Sequence, residues 1–587
     1  MELLFYTEVI LNALLDAPSF LLLALSVLFV YRSTQVLCFS EAASAAIAGQ
    51  VYFQASEIFG LPFIAALALA IVTSVVITRF TLRFIIRIAP TATVASLASL
   101  PFAVLLYVGA SVLFGREQKI VSMELPFADF AGPISIGGMY FSSYSLALAI
   151  FAAATILMAC LVGASLLQNT GRQRGEESDF ATAAIAGTLT ALFGVMAAYR
   201  FGDATSSVFE LGGVPYMIAV LSGLAGVGWL IVVAVIFVAI STPISLAIGH
   251  FSVAALCTFA AITVFLRFAP GVTMRRSGDS VPSRRPAPSS AGMAPPPVLR
   301  SDIFRVGVIA IVLVLASSIM FGDYYQFMVL LIAPQLLMAL AIYLVVAHRR
   351  EIVLGWLAMT TSGGAAFAIA ANFRDTVGLD AFAWSILAGA AAAAMMWALL
   401  DDRRPQFNLA ISAFFDVFFG AGIFLMLSTF LGESEIVVPD AVVEVGGIFL
   451  EQNLVTAIAL GVGVLLALAS ARLSPYGSLF GFSRLGVLIP GAIAGLSGAL
   501  FVFQFQYFAA GMLGDEARGI VMLMAVLLGA VAGFKGVAIV AIGAGALDFL
   551  IGNMFRDIFD VYIPLSATII AVAAIYMLRR FDIAWDD

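Results

Sequence analysis

The chain has 587 residues, of which 63% are hydrophobic and 11% charged, with a mean hydropathy of +1.10. A soluble domain carries about 25% charged residues, so a water-soluble fold is excluded. The net charge of −7 comes without an acidic or basic tail, and nothing in it points to a nucleic-acid partner. Cys38, Cys160 and Cys257 each lie in an apolar stretch, too scattered for a disulfide framework or a metal cluster.

From the N-terminus, Met1-Glu2-Leu3-Leu4-Phe5 lacks the basic stretch and small-residue cleavage site of a removable signal, so the first helix is expected to be retained. Apolar segments follow at 9–31, 36–56, 61–78, 94–114, 143–168, 180–199, 214–248 and 252–268. A second set runs over 304–321, 325–347, 352–372, 380–400, 407–431, 448–470, 486–508, 518–552 and 560–578. Most have the length of about 20 residues that a helix needs to cross a hydrocarbon core of about 30 Å. Barrel strands would instead alternate over about 10 residues. The expected fold is therefore an all-α polytopic membrane protein.

Between the two sets, residues 271–301 contain Pro282-Ser283-Arg284-Arg285-Pro286 and Pro295-Pro296-Pro297. Such a stretch cannot bury enough apolar surface to fold and reads as a flexible cytoplasmic linker. It separates a first repeat, 1–270, from a second, 302–587.

The two halves share words. Ala184-Ile185-Ala186-Gly187 with Ala191-Leu192-Phe193 returns as Ala492-Ile493-Ala494-Gly495 with Ala499-Leu500-Phe501. Ala219-Val220-Leu221 with Gly223 returns as Ala525-Val526-Leu527 with Gly529, and Leu22-Leu23-Ala24-Leu25 as Leu337-Met338-Ala339-Leu340. Outside the membrane, Ile134-Ser135-Ile136-Gly137-Gly138-Met139-Tyr140 matches Val443-Glu444-Val445-Gly446-Gly447-Ile448-Phe449, and each predicts a short extracellular β-hairpin. Shared spacing on this scale points to duplication, with two parallel pseudo-symmetric repeats and a pathway between them.

Segments 214–248 and 518–552 are too long for one crossing and carry glycines at Gly223, Gly226, Gly529 and Gly533. Each is expected to form two half-helices that enter and return on one side, a device tolerated where bent backbone lines a cavity or is buried in protein. With the N-terminus outside, Arg32, Arg79, Arg83, Arg87, Arg172, Arg174, the linker arginines, Arg349, Arg350, Arg403, Arg404, Arg472, Arg484, Arg579 and Arg580 share one face. The positive-inside rule makes that face, and the C-terminus, cytoplasmic.

Certain stretches resemble a known family. The first half has Asn12-Ala13-Leu14-Leu15, Leu21-Leu22-Leu23-Ala24-Leu25-Ser26 and Phe39-Ser40-Glu41-Ala42-Ala43. The second has Ser474-Pro475-Tyr476-Gly477, Pro490-Gly491-Ala492-Ile493-Ala494-Gly495-Leu496-Ser497-Gly498-Ala499-Leu500 and Met524-Ala525-Val526-Leu527-Leu528-Gly529. Together they are similar to the permeases of branched-chain amino-acid-type ABC importers, with the two usual subunits fused in one chain. The resemblance covers nearly the whole chain and is most specific over 474–546.

The resemblance implies a permease of a bacterial-type inner membrane that moves amino acids or similar small polar solutes inward. It also implies an extracytoplasmic solute-binding protein and separate ATPase subunits as partners. No Gly-x-x-x-x-Gly-Lys-Ser/Thr pattern occurs, and Lys119 and Lys535 are the only lysines, so ATP belongs to those other subunits and this chain carries no cofactor. Gly171, Arg172, Ser474, Pro475, Tyr476 and Gly477 are the ATPase-coupling candidates that the family pattern marks. The intervals from Gly171 to Ala184 and from Gly477 to Ala492 are short, with room for about two helical turns. Glu41-Ala42 also replaces the family's histidine-glycine. These departures keep open an accessory subunit that retains the permease fold, or an ATP-independent channel or carrier.

Four ionisable residues are candidates for the substrate pathway. Glu41 lies in an apolar run, where a charge at membrane depth costs at least about 2.5 kcal/mol. Its alternative is an interfacial glutamate near Arg32. Asp416 and Asp548 are flanked by phenylalanine and leucine and serve either packing or a solute ammonium or proton. Lys535 stands at the return of the second broken segment, where it meets helix ends or a solute carboxylate. Gln504, Gln506 and Tyr507 read as interfacial anchors. His250 and His348 are isolated, and without a Ser-His-Asp set or a His/Cys cluster catalysis is not expected.

Overall fold

A computed structural model describes residues 2–114, 134–201, 206–248, 300–349, 354–400, 435–473, 485–509 and 533–559, with short breaks inside these ranges and a few isolated positions beyond them. It is a multi-pass, all-helical membrane protein. Eight stretches of helix among the described residues are long and apolar enough to cross a membrane: Thr7–Thr34, Phe63–Phe84, Phe180–Tyr199, Val227–Ser245, Met328–Ala347, Leu379–Leu399, Gln452–Arg472 and Val487–Phe505. The chain divides into two compact units, Met1–Ser289 and Ser290–Asp587.

The first unit contains α1 (Glu2–Leu14), α2 (Ala17–Thr34), α3 (Ser40–Phe53), α4 (Phe63–Ile88), α5 (Ala92–Phe114), α6 (Ser143–Thr170), α7 (Glu176–Phe201), α8 (Ser206–Leu221) and α9 (Val227–Ile248). Its centre is α7, packed on α2, α3 and α4. From Phe20 to Val30, α2 is buried all round, as expected of an interior helix in a bundle. By contrast, α4 exposes Leu69, Val72, Val76 and Phe80 at a spacing of three or four, a stripe suited to lipid.

Helix α3 is built from small residues, Ser40-Glu41-Ala42-Ala43-Ser44-Ala45-Ala46, and α7 comes close enough that a β-carbon at Gly194 would collide with the Ala45 carbonyl. Close backbone approach through small residues is how helices associate without a hydrophobic driving force. The far end of α3 widens into a π-helical turn, Gln54–Ile58, which is closed by Leu61 N–H donating to Ala55 O at 2.9 Å and by Gly60 at φ 63°.

The second unit contains α10 (Arg300–Met320), α11 (Asp323–Arg349), α12 (Trp356–Asn372), α13 (Leu379–Leu399), α14 (Gln452–Leu473), α15 (Leu485–Phe505) and α16 (Gly533–Phe559). Here α15 is central, packed on α11, α12 and α13. A β-carbon at Gly498 would collide with the Thr360 carbonyl of α12. Pro334 interrupts α11, and its missing N–H leaves the Leu330 carbonyl without its intrahelical donor. Gln504 Nε2 fills that place at 2.7 Å, and Ser497 Oγ donates to the Pro334 carbonyl at 2.7 Å. Gln504→Leu is expected to cost about 1–3 kcal/mol by leaving a buried carbonyl unpaired, read as a lower unfolding temperature of the detergent-purified chain. Gln504 is therefore a buried helix-to-helix contact.

Among the described residues, three two-stranded antiparallel pairs accompany the helices. Strand β1 (Ile134–Ile136) pairs with β2 (Met139–Phe141), and β4 (Val443–Val445) pairs with β5 (Ile448–Leu450). The third pair, β3 (Glu435–Val437) with β6 (Tyr507–Ala509), was not expected. Gln506 makes it possible: at φ 61° it ends α15 in the left-handed region, donates its N–H to Val502 O and accepts from Val438 N–H at 2.8 Å.

The two long segments are described in part. Helix α8 ends at Leu221 and α9 starts at Val227, and Gly223 and Gly226 lie outside the described residues. In the second unit, a β-carbon at Gly529 would collide with the backbone of Gly536 and Val537, and Gly533 opens α16 at φ 70°. Helix α9 has 22 residues and α16 has 27, or roughly 33 and 40 Å at about 1.5 Å per residue. Residues 518–532, the limb expected ahead of α16, lie largely outside the described residues. Predicted segments 252–268, 407–431 and 560–578 lie largely or wholly outside the described residues.

Candidate functional site

Of the ionisable candidates, Glu41 occupies the most elaborated setting. Its side chain is 1% exposed, enclosed by the protein. Helix α3 begins at Ser40 and carries Glu41 in its first turn, where a carboxylate is favoured by the helix dipole. Three neighbouring helices each contribute one hydroxyl. Thr190 of α7 donates to Oε2 at 2.7 Å, Ser26 of α2 at 3.3 Å and Thr78 of α4 at 3.4 Å. Ser26 and Thr190 are also 2.8 Å apart.

All three bonds go to one oxygen. Glu41 Oε1 is buried and has no hydrogen-bond partner. An ionised carboxylate with one oxygen left bare in an apolar interior is costly, so the geometry leaves a place at Oε1 for a proton or another cation. One turn farther along α3, Ser44 and Ser74 share a hydrogen bond at 3.0 Å, extending the polar contact between α3 and α4.

The N-terminal side of α3 is held by Tyr216 of α8, which donates to the Cys38 carbonyl and stacks on Phe39 with ring centroids 5.8 Å apart. Leu37 N–H donates to Ser96 Oγ at 2.9 Å, and Phe39 N–H to Ser99 Oγ at 2.9 Å. Cys38 is a buried free thiol 3.0 Å from Ser40 Oγ. At the other end of the helix, Tyr52 and Tyr199 join hydroxyls at 2.5 Å. Glu41 is thus fixed by helices α2, α4, α7 and α8 at once.

Lys535 has a partner within its own unit. Its Nζ lies 3.0 Å from Asp302 Oδ1, with the lysine side chain 48% exposed and the aspartate 10%. Asp302 sits in the first turn of α10, where the helix dipole favours it. Lys535 sits in the first turn of α16, where the dipole opposes a cation, and the aspartate offsets this. Removing the lysine leaves a buried charge alone, whereas removing the aspartate leaves a half-solvated lysine. Lys535→Ala is therefore expected to destabilise more than Asp302→Asn, the latter by about 1 kcal/mol or less, checked by thermal unfolding of both variants.

Asp548 lies on α16, with its side chain outside the described residues, and Asp416 lies outside them altogether. So do Gly171, Arg172, Ser474, Pro475, Tyr476 and Gly477. No group of three or more His, Cys, Asp or Glu side chains that could hold a metal ion occurs among the described residues.

Sequence reasoning found Glu41 but not Ser26, Thr78, Thr190 or Asp302. The one available signal was positional. Thr190 stands three residues after Gly187 inside the repeated word, where the second half has Gly498 after Gly495. In comparisons with known proteins, no family model and no curated protein matches the chain.

Proposed function

We propose that this chain is the permease of an ABC-type importer, two permease halves fused in one polypeptide, moving amino acids or similar small polar solutes into the cytoplasm. The observation that carries the proposal is the duplicated helix motif: α7 and α15 bear the same Ala-Ile-Ala-Gly word and each is the central helix of its unit. A second likeness supports it. Leu37 N–H donates to Ser96 Oγ ahead of α3, and Leu354 N–H donates to Ser412 Oγ at 3.0 Å ahead of α12.

In this scheme the membrane is a bacterial-type inner membrane, the N-terminus is outside and the C-terminus cytoplasmic. The hairpins β1–β2 and β4–β5 face outward. ATPase subunits engage the cytoplasmic face near Gly171, Arg172 and Ser474-Pro475-Tyr476-Gly477, and a solute-binding protein delivers cargo from outside.

Purification of the tagged full chain from its native membrane tests the scheme. An ATPase subunit recovered in stoichiometric amount is the expected result. A chain that is recovered repeatedly without one, and that mediates solute flux in ATP-free proteoliposomes, would replace the importer with an ATP-independent carrier. Recovery without an ATPase and without flux would indicate an accessory subunit.

A further inference from the structure

We propose that Glu41 is a proton-exchange site, in which Oε1 takes up and releases a proton while the hydroxyls of Ser26, Thr78 and Thr190 hold Oε2. The bare oxygen motivates the assignment: Oε1 is buried without a hydrogen-bond partner, while Oε2 accepts from three helices. The step is a simple acid–base exchange. A proton from water binds Oε1 to give the neutral acid, and its release restores the carboxylate, with no other bond formed or broken.

A purely structural polar contact is the alternative, and the second unit argues against it. This comparison rests on the duplication proposed above. Ser26 stands four residues after Leu22, and Ala341 four after Leu337 in the matching word. Glu41 stands four residues after Leu37, and Ala358 four after Leu354, the two leucines that share the same serine hydrogen bond. Thr190 is matched by Gly498. Ala341 and Ala358 are both 0% exposed, and Gly498 sits directly on the Thr360 carbonyl. At these three positions the second unit carries alanine or glycine, so close packing of the helices does not require the carboxyl group or the hydroxyls of Ser26 and Thr190.

The geometry also separates a proton from an alkali cation. A metal ion needs several oxygens around it, but the three hydroxyls are turned to Oε2 and Oε1 has no oxygen partner. One proton needs one oxygen. Among the described residues, the titratable groups beside Glu41 are Cys38, just ahead of α3, and Tyr216 of α8. Helices α2, α4 and α7 present the three hydroxyls to it, and α5 presents Ser96 and Ser99 to the backbone ahead of it. Arg79 of α4 stands over the Phe180 ring, 4.8 Å from its centroid. The hydroxyls come from three different helices, so a shift of α7 against α3 would strip Thr190 from Oε2 and change how firmly the proton is held.

Infrared spectroscopy of the purified full chain in lipid nanodiscs tests this directly, using the carboxylic-acid C=O stretch as the readout. The expected result is a band that titrates with pH, is lost in Glu41→Gln and is shifted in Thr190→Val. Added sodium or lithium should leave it unchanged. Wild-type and Glu41→Gln spectra that match at every accessible pH would overturn the proposal, as would a band removed by sodium, which would indicate an alkali-cation site. If Glu41→Gln fails to fold, an unshifted band in Thr190→Val overturns it equally. The readout needs neither solute nor ATPase, so the proton site and the importer function stand or fall separately.

Discussion

Gly498→Ala and Gly194→Ala are expected to lower the unfolding temperature of the detergent-purified chain, while Gly109→Ala and Gly543→Ala leave it unchanged or raise it. The four substitutions are chemically identical and differ only in what the new methyl group meets. At Gly194 it meets the Ala45 backbone, and at Gly498 the backbone of Thr360 and Gly364. Backbone cannot swing aside as a long side chain can, so α7 must move off α3, or α15 off α12. Overpacking of this kind costs about 1–3 kcal/mol. At Gly109 and Gly543 nothing lies within 4 Å of the added carbon. There the only change is lower backbone entropy in the unfolded chain, which favours alanine in a helix by about 0.5–1 kcal/mol. Equal melting temperatures across all four variants would show that the central helices are not held by close backbone contact.

The second large effect is expected at Thr190. Thr190→Val removes the shortest bond to Glu41, at 2.7 Å, and the hydroxyl that lies 2.8 Å from Ser26 Oγ. The new side chain is nearly the same size, so the loss is of hydrogen bonding in a buried place, worth about 1–3 kcal/mol. Thr78→Val removes only a bond at 3.4 Å and should cost about 1 kcal/mol or less. A double-mutant cycle between Thr190→Val and Glu41→Gln should show coupling, because both residues belong to one network. Additive losses would mean that the hydroxyl and the carboxyl act independently.

What could be read in the chain and what could not follows from the range of the interactions. The repeated Ala-Ile-Ala-Gly word marks the helix at the centre of each unit, because close packing demands small residues at fixed spacing and that demand is visible locally. Glu41 stood out because an ionisable group in an apolar run is costly wherever it ends up. Its hydroxyl partners did not, since serine and threonine are unremarkable in membrane helices and the convergence of α2, α4 and α7 is a tertiary fact. Asp302 was missed for the same reason: Lys535 is 233 positions away in sequence.

Hydropathy is continuous through segments 214–248 and 518–552 and carries no information about how far α9 and α16 run. The β3–β6 pair was hidden because its strands have three residues each and the turn depends on a glutamine at positive φ.

ATP hydrolysis decides whether the chain is, as proposed, the membrane part of an ATP-driven importer. The full chain would be purified from its native membrane with whatever ATPase accompanies it and placed in nanodiscs with the proposed solute-binding protein. Hydrolysis would then be measured with and without a mixture of amino acids. Hydrolysis should rise when amino acids and binding protein are both present and fall back when either is withheld. Hydrolysis indifferent to both, or the absence of any ATPase from repeated preparations, would overturn the importer assignment.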